Sequence, residues 1–250
     1  MKKTGIKRYL SIKEEQNLES ILSLFKRSPI PSEQALANLG LFLNSKELSR
    51  ILFMDFIYKK NIETQGVIMD FGTRWGHNMA IFSALRGIYE PYNRHRKIIG
   101  FDTFSGFPSI SKEDGKSDLM LKGNVSVTKN YKKYLEQVMN YQERSNPLDH
   151  IKKYEIRSGD ASVELQKYLK EHPETIVSFA YFDFDIYEPT KKCLELLMPF
   201  LVKGSVLAFD ELNDNDSPGE TVALKEVFGL NNIKLKRYKY TSRVSYFIFE

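Results

Sequence analysis

Cysteine is nearly absent from this chain of 250 residues, and the single Cys193 excludes both an intrachain disulfide and a cysteine-based metal cluster. Its setting, PTKKCLELLMPF, has helical periodicity, so Cys193 reads as a packing residue rather than a nucleophile. No run of 18 or more apolar residues occurs, and MKKTGIKRYLSIKEEQ breaks into charges before a secretory core forms. The expectation is a soluble, cytoplasmic protein with no membrane partner. Histidine is scarce: four residues, with none between His95 and His150. The basic excess is small, +5 net, and lies partly in Arg94 to Lys97 and Lys234 to Lys239. Scattered lysines with few interleaved aromatics disfavour nucleic acid as a partner, and an anionic small molecule fits the charge as well.

What the chain does have is a comb of aspartates. Five apolar runs end at or just before one: GVIMD at Asp70, KIIGFD at Asp102, KYEIRSGD at Asp160, VSFAYFD at Asp183 and GSVLAFD at Asp210. Each run is short, rich in β-branched or aromatic residues, and followed by Gly, Pro or polar residues and then a helical pattern. That is the signature of a buried parallel strand feeding a crossover helix. Ligands of open α/β sheets bind outside the carboxyl ends of the strands. Five acids gathered on that edge call for a hydroxyl-rich ligand, a cation, or both.

At 42% hydrophobic, 250 residues suffice for one large α/β domain. Residues 1–65 show helical periodicity without strand signals and are expected to form an N-terminal helical cap, with a helix start at Ser45. Residues 66–250 are expected to form the α/β domain, with strands at 67–70, 97–101, 154–157, 176–182 and 205–209. Between them, 104–149 opens with the turn-rich SGFPSISKEDGKSD and continues as an amphipathic helix, which at the carboxyl edge of a sheet reads as a lid. KLKRYKY and VSYFIFE, separated by Thr241, Ser242 and Arg243, read as an antiparallel hairpin closing the sheet. This order resembles the Rossmann-like class I S-adenosylmethionine methyltransferases, with a seven-stranded, mostly parallel sheet and an antiparallel C-terminal hairpin.

Asp70 to Gly76 (D-x-G-x-x-x-G) follows the first strand and opens a helix, where Gly72 and Gly76 admit a close ligand and the helix N-terminus offers free N–H groups to a carboxylate, with Thr73 and Arg74 in the same cofactor loop. Asp102 ends the next strand, placed to accept from both ribose hydroxyls, with Thr103 and Phe104 beside it. Asp160, after Gly159, is placed to read an adenine amino group, to cap the following helix, or both. Asp183, Asp210 and Glu211 stand at adjacent strand ends, an oxygen-donor set suited to magnesium. Asp185 and Glu188 either join that acid cluster or are solvated or helix-capping.

At these motifs the chain resembles the macrocin O-methyltransferase (TylF/MycF/NovP-like) family. FDTFSGFP at 101–108 matches its ADSF-x-G-x-P, DFDIYEPT at 183–190 its D-G-D-x-Y-E-S-T, and Asp210-Glu211 its paired acids. The resemblance implies a sugar O-methyltransferase using S-adenosylmethionine and Mg2+, with Asp183, Asp210 and Glu211 as metal ligands and Asp70, Gly72, Asp102 and Thr103 at the cofactor. The family's lid histidine has no counterpart here, which leaves Asp118 and Lys122 as candidate bases beside the catalytic Asp183. The expected partner is a small-molecule acceptor bearing a sugar hydroxyl, in a chain that is free to form a homo-oligomer. An RNA methyltransferase of the same fold and a non-catalytic cofactor-binding protein are the competing readings.

Overall fold

Amphipathic and apolar segments alternate along the chain, and they fold accordingly. The computed structural model describes residues 11–250, so residues 1–10 of the expected cap lie outside the described residues. Three helices come first: α1 (Ile12–Lys26), α2 (Ser32–Ala35) and α3 (Ser45–Asn61). Then follow β1 (Val67–Phe71), α4 (His77–Tyr89), β2 (Ile98–Asp102), α5 (Tyr131–Arg144), β3 (Tyr154–Ser158), α6 (Ala161–Glu171), β4 (Val177–Phe182), α7 (Tyr187–Leu197), β5 (Leu201–Phe209), α8 (Gly219–Phe228), β6 (Lys236–Arg237) and β7 (Ser245–Ile248). The strands form one seven-stranded sheet in the order β3-β2-β1-β4-β5-β7-β6, parallel through β5, with β7 antiparallel to β5 and β6 antiparallel to β7. This is the class I methyltransferase sheet that the strand order predicts.

Both faces of the sheet are covered, which is why its strands are apolar throughout rather than alternating. On one face Leu165 and Tyr168 of α6, Cys193 and Leu197 of α7 and Leu224 of α8 pack on Met69, Ile99 and Ala180. Cys193 is fully buried there, as its helical setting predicts. On the other face Phe53 and Ile57 of α3, Met79 and Phe82 of α4 and Leu135 of α5 pack on Ile68, Phe179 and Tyr181. A row of phenylalanines crosses the sheet near its carboxyl edge. Phe101, Phe71, Phe182 and Phe209 stack with centroids 4.9, 4.8 and 5.2 Å apart and planes within 17° of parallel.

Local chemistry explains where elements begin. Helix α3 starts at Ser45, as expected, and the residue before it is the cap: Asn44 accepts the N–H groups of Lys46 and Glu47 at 2.8 and 3.2 Å. Helix α7 has no side-chain cap of its own; Asp114, 73 residues away in the 104–149 segment, accepts the Tyr187 N–H at 2.6 Å. The C-terminal hairpin is shorter than its sequence suggests. Lys236 and Arg237 form an exposed edge strand, and Tyr238, whose N–H still donates to the Val244 carbonyl at 3.3 Å, turns its ring onto Phe53 and Phe56 at 5.2 and 5.1 Å. Arg96 is not part of a solvated basic run: it is buried and donates to Glu90, Ser178 and the carbonyls of Thr64 and Gly66. Among the described residues, no helix is long and apolar enough to cross a membrane.

Candidate active site

Register places the strand-end acids. The Asp183 N–H donates to the Phe71 carbonyl and the Asp210 N–H to the Phe182 carbonyl, both at 2.9 Å, while the Gly159 N–H donates to the Asp102 carbonyl at 3.0 Å. The ladder thus continues one step past each strand, and the acids emerge side by side at its end. A cavity of about 380 Å³ opens above them, within the range of small-molecule sites. Gly72, Thr73, Arg74, Asp102, Thr103, Gly159 and Asp160 line one part of it; Asp183, Asp185, Asp210, Glu211 and, from the 104–149 segment, Asp118 line the rest.

Four of the residues singled out in the sequence stand off this wall. Asp70 is wholly buried beneath it, accepting from Asn78 at 3.1 Å, and burial raises its carboxyl to about 6. Gly76, Phe104 and Lys122 do not line the cavity, and Lys122 is exposed. The glycine loop also works differently from the expectation. A Cβ on Gly72, whose φ is +85°, would run into the Asp183 carbonyl, and one on Gly76 would run into Leu135. These positions admit protein neighbours rather than only a ligand.

Asp102 organises two loops. It accepts the Arg74 N–H at 2.7 Å and the Phe104 N–H at 2.5 Å; burial nonetheless raises its pKa. Asp160 caps α6, accepting from Ser162 N and Val163 N at 2.9 and 3.2 Å, and it also lines the cavity. Burial opposes its ionisation, but those bonds and the Ser162 hydroxyl prevail and hold its pKa low.

The other acids are less comfortable. Burial and the neighbouring Asp210 charge push Asp183 up to about 8, with Arg50 opposing, and burial followed by Asp210 raises Asp185 to about 7. Asp210 Oδ1 accepts from the Tyr181 hydroxyl at 2.6 Å, and Glu211 accepts from the Ser217 hydroxyl. Glu220 is fully buried, with a carboxyl raised well above the usual range by burial; its Oε1 accepts the Phe184 and Asp185 N–H groups at 2.8 and 3.2 Å and so fixes the loop that carries Asp183.

Two arginines partner these acids, and neither is among the residues that the sequence motifs mark. Arg50 donates to Asp183 Oδ2 at 2.8 Å and to Asp210 Oδ1 at 3.1 Å. It lies on the buried stripe of α3, in phase with Phe53, Met54, Ile57 and Asn61, and a cation on an apolar face is the signal that marks it. Arg243 pairs with Glu211. It precedes β7, whose Ser245 pairs with Phe209, so its place follows only from the antiparallel register. Among the lining residues, nine carboxylates face three guanidiniums, those of Arg50, Arg74 and Arg243. A chain of net charge +5 therefore encloses an acidic cavity. Asp183, Asp210 and Glu211 offer only oxygen, the donor a hard divalent cation takes, but, paired with Arg50 and Arg243, the three do not bring their oxygens within 4.8 Å of one another. His77 also lines the cavity, its pKa lowered by burial and then by Arg50.

No protein-family model and no curated protein sequence matches this chain. Solved structures do. The crystal structure of CalS11, a calicheamicin methyltransferase, is 38% identical over 97% of this chain and 95% of that one, with a TM-score of 0.94. The apo structure of CalS11, TDP-rhamnose 3'-O-methyltransferase, an enzyme in calicheamicin biosynthesis, gives 36% identity over 97% and 96%, with a TM-score of 0.86. The O-methyltransferase NovP shares the fold, at 17% identity over 80% and 78% of the two chains and a TM-score of 0.61.

Proposed function

The chain belongs to the sugar O-methyltransferase family and is an O-methyltransferase, and from that premise we propose that it transfers the methyl group of S-adenosylmethionine to a hydroxyl of a nucleotide-linked sugar, with magnesium at the acid cluster. The observation that carries this reading is the single cavity lined by both acid sets. Asp102 and Asp160 lie over β2 and β3, and Asp183, Asp210 and Glu211 over β4 and β5. The glycine loop after β1 lies between them.

On this reading Asp102 accepts from the ribose hydroxyls and Asp160 from the adenine amino group, while the N–H groups at the start of α4 face the methionine carboxylate. Asp183, Asp210 and Glu211 would hold the divalent ion, which when bound supplies a Lewis acid that makes an alcohol a better nucleophile. The chain's own task is to orient one hydroxyl along the line of the methyl–sulfur bond and to exclude water, which the 104–149 segment does as a lid. Asp118, carried on that lid and lining the cavity, takes the hydroxyl proton; Lys122, outside the cavity, does not. The acid excess opposes an RNA substrate, whose phosphates would meet carboxylates.

Calorimetric titration of S-adenosylhomocysteine, followed by methyl transfer to a TDP-deoxysugar with and without EDTA, tests the proposal. Cofactor binding should survive the chelator, and turnover should vanish in it and return with magnesium. No binding of S-adenosylhomocysteine, or full turnover in EDTA, would overturn the cofactor or the metal assignment respectively.

A further inference from the structure

Charge balance in the cavity leaves one cation unmatched. No lysine lines it, and of its three guanidiniums Arg50 is engaged by Asp183 and Asp210 and Arg243 by Glu211. The third belongs to Arg74. Its backbone N–H is used, donating to Asp102 at 2.7 Å, but its side chain enters no ion pair and no hydrogen bond among the described residues, and its Nε is buried without a partner. A buried donor left unpaired costs free energy unless something in the working protein accepts from it.

The loop holds this side chain at a cost of its own. Arg74 has φ +47°, a left-handed conformation that is uncommon outside glycine and that gathers at ligand clamps. The Asp102 bond fixes the turn on one side, and on the other the Tyr131 hydroxyl donates to the Trp75 carbonyl at 2.9 Å. The guanidinium carbon then lies 5.9 Å from the centre of the Trp75 ring, a cation–π contact that uses none of its N–H donors. Burial raises the pKa of Asp102 and of Asp185, and the Arg74 charge is among the causes that oppose it at each. Its field therefore reaches from the cofactor half of the cavity to the acid cluster.

Two anions of the proposed reaction must enter a cavity lined by nine carboxylates. The methionine carboxylate arrives with the ammonium and sulfonium of its own molecule and meets the N–H groups at the start of α4. The acceptor's diphosphate carries a negative charge on each phosphate and brings no cation with it. A planar guanidinium fork matches phosphate oxygens with paired hydrogen bonds. On the methyltransferase reading above, on which this inference rests, we propose that the Arg74 side chain receives the diphosphate of the acceptor and so selects a nucleotide-linked sugar over the same sugar without phosphate.

Titration of TDP into the protein saturated with S-adenosylhomocysteine and magnesium should show binding that Arg74→Gln weakens about tenfold to a hundredfold, one or two charge-assisted hydrogen bonds, and that Arg74→Lys restores in part. Thymidine, which has no phosphate, should bind wild type and variant alike, and S-adenosylhomocysteine affinity should be unchanged. In turnover, Arg74→Gln should raise KM for a TDP-deoxysugar by a similar factor and lower kcat far less. Equal TDP affinity in wild type and Arg74→Gln, or no TDP binding to wild type, would overturn this role for Arg74 and leave the methyltransferase reading standing. A fall in S-adenosylhomocysteine affinity as large as the fall for TDP would overturn it too, by assigning Arg74 to the methionine carboxylate. A wild type that methylates a phosphate-free glycoside as well as the TDP-deoxysugar would overturn the selection, and one that binds no S-adenosylhomocysteine would overturn the cofactor assignment and this role with it.

Discussion

Replacing Arg50 with methionine removes a positive charge from the acid cluster while keeping most of the apolar stem that packs along α3. In the metal-free protein the arginine makes two charge-assisted bonds, to Asp183 and Asp210. Buried bonds of that kind contribute about 1.5–3 kcal/mol each, whereas exposed ion pairs contribute about 0–1 kcal/mol. Arg50 keeps 34% of its side chain in solvent, so the two together should contribute about 2 kcal/mol. For a chain of this size each kcal/mol moves the melting temperature by roughly 2–4 °C, which gives a drop of about 4–8 °C at pH 8 in chelator. The pH sign follows from Asp183. Its pKa is raised in the folded state to about 8 from the ordinary value of 3.8, so the folded state holds a proton that the unfolded state releases, and stability falls as pH rises from about 4 through 8. Without Arg50 the Asp183 pKa rises further, so in the variant that fall should run on to higher pH, and the deficit against wild type should shrink as pH drops below 8, where the carboxyl is neutral and needs no counter-charge. The same substitution removes a cation that competes for the acid oxygens. A unit charge about 5 Å away, at an effective dielectric of about 20, repels by roughly 3 kcal/mol per unit charge before screening. Magnesium should therefore bind the variant about tenfold more tightly at pH 8 by calorimetry, even if turnover is lower. A melting temperature equal to wild type at pH 8, together with equal or weaker magnesium binding, would refute the view that Arg50 is the resident counter-ion of Asp183 and Asp210.

Three further outcomes follow from the same geometry. Gly72→Ala should destabilise by about 2–4 kcal/mol in urea unfolding, combining left-handed strain with the collision against the Asp183 carbonyl; a loss under 1 kcal/mol would mean the two loops separate freely. Glu220→Gln should cost less than about 1 kcal/mol, since burial keeps this carboxyl protonated and a carbonyl acceptor survives, while Glu220→Ala leaves the Phe184 and Asp185 N–H groups unpaired and should cost about 2–4 kcal/mol. Equal losses in the two variants would show that the hydrogen bonds are not what Glu220 contributes. Asp102→Ala should weaken S-adenosylhomocysteine binding by about tenfold to a hundredfold, one or two hydrogen bonds to a charged group; unchanged affinity by titration would remove Asp102 from the ribose site.

The sheet was legible because burial on both faces writes its strands as unbroken apolar runs, and the acids that end them fall at the carboxyl edge by topology alone. Asp102, Asp160, Asp183, Asp210 and Glu211 are for that reason found on one cavity wall. What periodicity does not carry is the identity of distant partners. Arg96 sits in a run of basic residues and reads as solvated, yet its guanidinium closes the carbonyls of Thr64 and Gly66, contacts that exist only once β1 and the end of α3 meet. Arg243 looks like a turn residue until the register of β7 against β5 sets it over Glu211. Arg50 was open to detection, because a charged side chain on the apolar stripe of an amphipathic helix must find a buried acid.

The stacked phenylalanines give the edge above them fixed graduations. Neighbouring strands stand about 4.8 Å apart, and Phe101, Phe71, Phe182 and Phe209 lock four of them at that interval in one register. Asp102 and Asp210, each one position beyond its ring, are therefore held three strand spacings apart, about 14 Å, by packing that no ligand contributes to. On the proposed reading, that span sets how far the cofactor's ribose stands from the acids over β5, so the reach of the methyl transfer is fixed by the packing beneath the cavity rather than by its lining.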